Sequence, residues 1–250
     1  MDRSVVLTVI VTVASTAVVL GVVWLWTEAE TRRQQDDEQY LVTEVSGWAA
    51  RNGWTVPAEP GMALARELDL RNHPGQRVVV TIEGEYAARR AAVLCCVDTR
   101  EEGGRYSVAL VRLDRARPEL AVGQRLRYQI RSAANPSLPD GPDRDGRFDR
   151  SLRVGADSDP TAAALLTAPV RAALLDLRRF GAGWWQFRSQ GDMSEFVRVR
   201  GDVLRVIVAG WAPGTEPRAF LDAVSRLAAA LPGAPAPVLG DGPQAGTPPN

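Results

Sequence analysis

One histidine, two adjacent cysteines, a run of aspartates and a pair of adjacent tryptophans are the residues of this chain whose types could do more than fold. His73 sits in Arg71-Asn72-His73-Pro74-Gly75, a string of turn formers. No G-x-S-x-G elbow exists to supply it with a nucleophile, so it reads as an exposed turn histidine. Cys95 and Cys96 lack the spacing of a structural zinc pair. Neighbours in a strand point to opposite faces, which places one thiol in the core and leaves the other uncommitted. A disulfide between adjacent residues is strained, and two unpaired thiols suit a reducing compartment.

Asp140, Asp143, Asp145 and Asp149 suggest a divalent cation. Setting Gly146 on the invariant glycine of an EF-hand loop puts Gly141 and Leu152 where the first and last acidic ligands belong, so that motif fails. An ordinary solvated loop is the better reading. Its competitor is a carboxylate- and metal-dependent hydrolase built on the Asp140–Asp149 loop. Trp184 and Trp185 would face opposite ways on a strand, so both cannot enter one core. One of them is a candidate contact for a partner or for the membrane surface.

Composition removes whole classes of chemistry. The chain has 30 basic and 30 acidic residues and is formally neutral, without the basic excess of a nucleic-acid binder. Every basic residue is arginine. A Walker A loop needs a lysine, as do Schiff-base catalysis and Ser–Lys hydrolysis, and a protein kinase loses its strand lysine. No residue earns a catalytic, cofactor or metal assignment, and no cofactor is implied.

The elements that would position these residues begin with Ser4–Trp26, which carries no charge and is almost wholly Val, Leu, Ile, Ala and Thr. About 20 apolar residues in helical rise cross the hydrocarbon core. The run outlasts the apolar region of a secretory signal peptide, and Trp24 and Trp26 close it as an interface belt. Residues 4–26 are therefore expected to span the lipid bilayer as a transmembrane helix, followed by a juxtamembrane stalk over 27–37 whose charges face water. Arg32 and Arg33 after the span, against Arg3 before it, tip the rest of the chain toward the cytoplasm.

A soluble α+β domain is expected over 38–231, with a Pro/Gly/Asp-rich internal loop at 132–147 and a disordered Pro/Gly-rich tail at 232–250. Leu41, Val45 and Trp48 recur at helical spacing, and Gly53 is a helix stop. Trp54-Thr55-Val56 is expected to open a short strand before Pro57, and Met62–Leu70 is a short helical candidate. Arg77–Glu83 is a β-branched strand, with Gly84 as the turn into Glu85–Asp98; Arg105–Asp114 and Leu126–Arg131 follow. These form an antiparallel meander with one face covered. Phe148–Val154 leads into two helices, opened by Asp159-Pro160 and restarted at Thr167–Pro169, the second with a Val170, Leu174, Leu177 face. Glu195–Arg200 and Asp202–Ala209 would be joined by a Gly201-Asp202 hairpin turn, and Glu216–Leu231 is the strongest amphipathic helix. The architecture expected is an antiparallel sheet with helices packed on one face.

Trp48–Trp54 (WAARNGW), Phe148–Asp157 (FDRSLRVGAD) and Leu166–Pro169 (LTAP) together resemble a set of uncharacterised actinobacterial membrane-anchored proteins. The resemblance implies one amino-terminal span and an α+β domain, and it implies no activity or site residues. The function expected is that of a single-pass, membrane-anchored binding or scaffolding module. A membrane-surface or oligomerisation element around Trp184 and Trp185 is the other non-catalytic reading.

Overall fold

The computed structural model describes residues 3–58, 76–98, 104–124, 148, 152–156, 159–181 and 195–232, with only the backbone described for some of them, 3–14 and 17 included. In chain order these form helix α1 (Arg3–Arg51), strands β1 (Gln76–Tyr86), β2 (Arg89–Asp98), β3 (Gly104–Gln124) and β4 (Leu152–Ala156), and helices α2 (Asp159–Leu165) and α3 (Ala168–Leu177). A 3-10 turn at Arg178–Gly181, strand β5 (Glu195–Ala209) and helices α4 (Ala212–Thr215) and α5 (Pro217–Ala230) complete them. The fold is α+β with an antiparallel five-stranded sheet.

Helix α1 has 49 residues, so it is about 74 Å long. Its second half docks: Leu41, Val45 and Ala49 are buried, while Trp48 packs beside them half-buried. The end is closed by Gly53 at φ +70 and by the Trp54 amide bonding back to the Ala49 carbonyl at 2.8 Å. Trp48 and Trp54 then meet edge to face at 5.3 Å, the apolar contact that accompanies this type of helix stop. In the first half, Val18–Trp26 are exposed, with Trp24 64% and Trp26 69% accessible. Among the described residues no helix is long and apolar enough to cross a membrane. Most of the run Ser4–Trp26 lies outside the residues whose side chains are described.

Strand β3 organises the sheet. Its first half pairs with β2 and its second with β4, while β5 runs along the other edge. β1 lies outside β2. The register alternates two sets of residues across the central strands. Cys95, Ser107 and Val208 share one face with Val93, Ala109 and Val206, whereas Leu94, Val108 and Ile207 occupy the other. All nine are buried. The antiparallel meander is present, with β1, β2, β3 and β4 adjacent in chain order, but its central strands are apolar and buried on both faces and not on one.

Two glycines expected at turns lie inside strands. β1 runs through Gly84 to Tyr86, and the hairpin turns at Ala87 and Ala88, with φ of 49 and 59. Two consecutive left-handed residues make a type I′ turn, whose twist matches the strands. Gly201 likewise makes no hairpin: β5 is one strand of 15 residues, with Gly201 at φ +59 opposite Arg117 where the register slips. Between the Arg112–Val203 and Arg117–Gly201 pairs β3 advances five residues while β5 advances two, so the extra residues of the bulge are in β3; Val197 and Val199 are buried before Gly201, and Leu204, Val206 and Val208 after it.

The remaining helices follow their sequence signals. α3 starts after Thr167 with Pro169 in its first turn and buries Val170, Leu174 and Leu177. α5 buries Phe220, Leu221, Val224 and Leu227. It lies against α3 and β3, tied by Arg226 to Asp176 at 2.5 Å and by the Phe180 and Phe220 rings at 5.5 Å. α2 lies against β3 and β4.

Candidate functional site

Among the described residues the reactive residue types do not assemble into a site. His73, the aspartates 140, 143, 145 and 149, the tryptophans 184 and 185, and the segment Met62–Leu70 all lie outside the described residues, as do the loop 132–147 and the tail from 233 onward. Among the described residues no group of three or more His, Cys, Asp or Glu could hold a metal ion.

The two cysteines are described, and both are core residues, 0% and 4% exposed. Neither is uncommitted, because β2 is covered on both faces. Burial pushes the Cys95 thiol up to about 12, against an opposing hydrogen bond with Ser107. Burial, and secondarily the neighbouring Cys95, pushes Cys96 up to about 12 as well. A thiol needs its anion to attack, oxidise or bind a metal. Held neutral in the core, these two are inert in either redox compartment, so their lack of a partner says nothing about which side of a membrane the domain occupies.

The most developed polar arrangement is where α1 meets the sheet. Asp37 and Glu38 lie on the turn before Leu41, on the same side of the helix, and both find arginines at strand starts. Glu38 pairs with Arg77 of β1, and Asp37 Oδ2 lies 2.7 Å from Arg105 Nη2 of β3. The hydrogen bond to Glu38 raises the Arg77 pKa further, against desolvation. Asp37, the last stalk charge, is exposed and pairs with Arg105 as well, while Glu38 opens the segment that follows. Leu41 and Val45 already face the sheet, so a carboxylate one turn earlier meets the strand ends.

The Arg105 guanidinium has a second partner. It lies 4.5 Å from the centroid of the Trp211 ring, and Trp211 Nε1 donates to the Cys96 carbonyl at 3.0 Å. The Trp211 carbonyl accepts from the Gly214 and Thr215 amides at 2.7 and 3.0 Å, starting α4. Gly214 in turn rests on Cys95: a Cβ there would stand 2.3 Å from Sγ. One chain of contacts thus leads from the helix through Arg105 and Trp211 to β2 and α4.

At the far end of the docked segment, Thr55 and Glu83 exchange backbone hydrogen bonds at 2.8 and 2.9 Å. The Trp54 ring covers Gly84, and Tyr86 stands edge to face with Trp54 at 6.5 Å. The Tyr86 hydroxyl donates to Asp222 Oδ1 of α5 at 2.6 Å. Desolvation first, then this bond, raises the Tyr86 hydroxyl to about 12. These groups hold a helix; they do not present a nucleophile, a base and an open space to one another.

Only the charges at 37 and 38, in phase with Leu41 and Val45, signalled this clamp in the sequence. Its arginines lie 39 and 68 residues away. Comparisons with protein-family models, with curated proteins and with solved structures found no match to this chain.

Proposed function

We propose that this protein is a single-pass, membrane-anchored module that binds or scaffolds other molecules without turning them over. The observation that carries the reading is helix α1: one unbroken element whose first part is apolar and whose second part is built into the fold. The exposed side chains Val18–Trp26 continue the uncharged run that starts at Ser4. Large apolar groups exposed in series call for an apolar environment, and a run of this length with terminal tryptophans fits a bilayer.

A non-catalytic role is supported by what the described polar groups do. The thiols are buried, and the ion pairs Glu38–Arg77 and Asp37–Arg105 fasten α1 to the sheet. The cytoplasmic side is proposed for the domain on charge alone, with Arg32 and Arg33 following the span. On the three short segments quoted above, we place the chain beside the uncharacterised actinobacterial anchored proteins.

Fractionation of cells tests the anchor. The full chain should sediment with membranes through an alkaline carbonate wash and need detergent for release, whereas a chain starting at Thr27 should not sediment. Recovery of the intact chain in the detergent-free supernatant overturns the proposal. A phosphatase fused after Leu231 should be inactive and a cytosolic reporter there active; the reverse pattern overturns the cytoplasmic side.

A further inference from the structure

Helix α1 carries arginines at 32, 33 and 51 beyond its apolar run, and the backbone around them is held very differently. From Thr27 to Asp37 every side chain is exposed except half-buried Glu28, and the Arg32 side chain is 73% accessible. Leu41 is the first buried side chain of the helix among those described. Arg51 is exposed as well, but the chain after it is fastened. The Asn52 amide donates to the Trp48 and Ala49 carbonyls at 3.1 Å, and the Trp54 amide donates to Ala49 at 2.8 Å. The Trp48 and Trp54 rings then close over this turn.

An endopeptidase takes its substrate as an extended chain, so a helix must open locally before it is cut, and the rate follows the population of the open form. In the stalk little opposes opening, because no buried side chain is withdrawn. The Glu28–Arg32 pair at 3.1 Å is exposed and contributes little. Thr27 and Thr31 are poor helix formers. Their hydroxyls donate to the Trp24 and Thr27 carbonyls at 2.9 and 2.8 Å, bonds that bend a helix and weaken it slightly. Opening at Arg51 instead has to draw Val45 and Ala49 from the core and lift Trp54 off Gly84. The attachments of α1 to the sheet begin only at Asp37–Arg105 and Glu38–Arg77, so a cut at Arg33 leaves all of them in place.

We infer that the stalk is a release site, where an arginine-specific endopeptidase hydrolyses α1 after Arg32 or Arg33 and frees the folded domain from the bilayer. The inference rests on the anchored-module reading and adds a modification to it. Cutting after Arg33 breaks the amide between its carbonyl carbon and the Gln34 nitrogen. Water is the co-reactant: its oxygen goes to the carbon, leaving a carboxylate, and its two protons go to the nitrogen, leaving an ammonium. The anchor stays in lipid. The product starts at Gln34 and keeps both ion pairs and the buried Leu41, Val45 and Ala49.

The test is limited digestion of the full chain in lipid nanodiscs, with trypsin as the probe and the cut bonds identified by fragment mass. Cutting after Arg32 or Arg33 should be about tenfold or more faster than cutting after Arg51. The fragment that starts at Arg33 or Gln34 should leave the discs and melt within a few degrees of the full chain. Thr31→Ala places a better helix former in the stalk; it should slow the stalk cut about two- to threefold and leave the Arg51 cut unchanged. Equal rates at the two sites, faster cutting after Arg51, an unchanged stalk rate in Thr31→Ala, or a released fragment that melts much earlier each overturns the inference. A chain that does not enter nanodiscs overturns the anchor and the release together; one that enters and resists cutting in the stalk overturns the release site alone.

Discussion

The indole of Trp54 lies directly on the α-carbon of Gly84: a Cβ built there would sit 2.6 Å from both Cγ and Cδ2 of the ring. This contact seats the end of the long helix on the sheet. It also explains why a glycine stands inside β1, two residues from its end, where it would otherwise weaken the strand. Gly84→Ala should destabilise the domain by about 1–3 kcal/mol, since the ring must shift and its T-shaped contact with Trp48 shifts with it. Urea unfolding of the purified protein measures this. Adding Trp54→Leu should recover part of the loss in Gly84→Ala, because the smaller side chain makes room.

Ala87 and Ala88 occupy left-handed backbone at φ 49 and 59, which costs about 1–2 kcal/mol per residue for a side chain with a Cβ. Replacing the pair by Asn-Gly, the sequence preferred in a type I′ turn, should raise the Tm by several degrees. An unchanged or lower Tm in a thermal melt would mean the turn is not strained.

Alkali should unfold the domain early. Tyr86 and both cysteines hold their protons to about pH 12 in the folded state, against ordinary values of 10.0 and 9.0. The unfolded chain releases them sooner and binds fewer protons, so stability falls as pH rises. The thiol contribution is complete below pH 9 and lost as pH approaches 12; the Tyr86 contribution is complete below 10 and lost over the same upper range. Denaturation midpoints recorded from pH 8 to 11 should decline for the native protein. They should decline less steeply between pH 9 and 10 when Cys95 and Cys96 are both alanine.

Arg117 supports the irregular part of β3. Only 7% exposed, it lies at the bulge of β3 opposite Gly201 and donates to the Arg115 carbonyl at 2.9 Å and to Asp114 Oδ1 at 2.7 Å. Arg117→Met keeps the apolar stem and removes the hydrogen bond to the carbonyl of exposed Arg115, which water can replace, at a cost of about 0.5–1.5 kcal/mol. Its partner Asp114 is held below the usual carboxylate range, chiefly by the hydrogen bond from Arg117. In the variant an NMR titration should move the Asp114 carboxyl back up.

Local signals were legible in the sequence, and the helices show it. Val170, Leu174 and Leu177 on α3 and Phe220, Val224 and Leu227 on α5 bury the faces their spacing predicts. The stop at Gly53 and the start at Asp159-Pro160 are where capping chemistry puts them. Glycines in strands were not legible. Gly84 and Gly201 carry the same mark as turn glycines, and what decides between turn and strand is Trp54, 30 residues earlier, or the mismatch of β5 with β3. The burial of Cys96 likewise depends on what covers the second face of β2. The candidate contacts Trp184 and Trp185 and the aspartate loop lie outside the described residues, so the clamp at Asp37, Glu38, Arg77 and Arg105 is the site that emerges.

The central claim is that one continuous helix leaves the lipid and enters the fold. Amide hydrogen exchange on the full chain in nanodiscs reads it directly. Slow exchange over residues 4–26, carried through the stalk at helical rates and slow again over 37–51, is the pattern this account predicts. Exchange within seconds across 4–26 while 37–51 stays protected would contradict it, because the first segment would then be neither helical nor held in lipid.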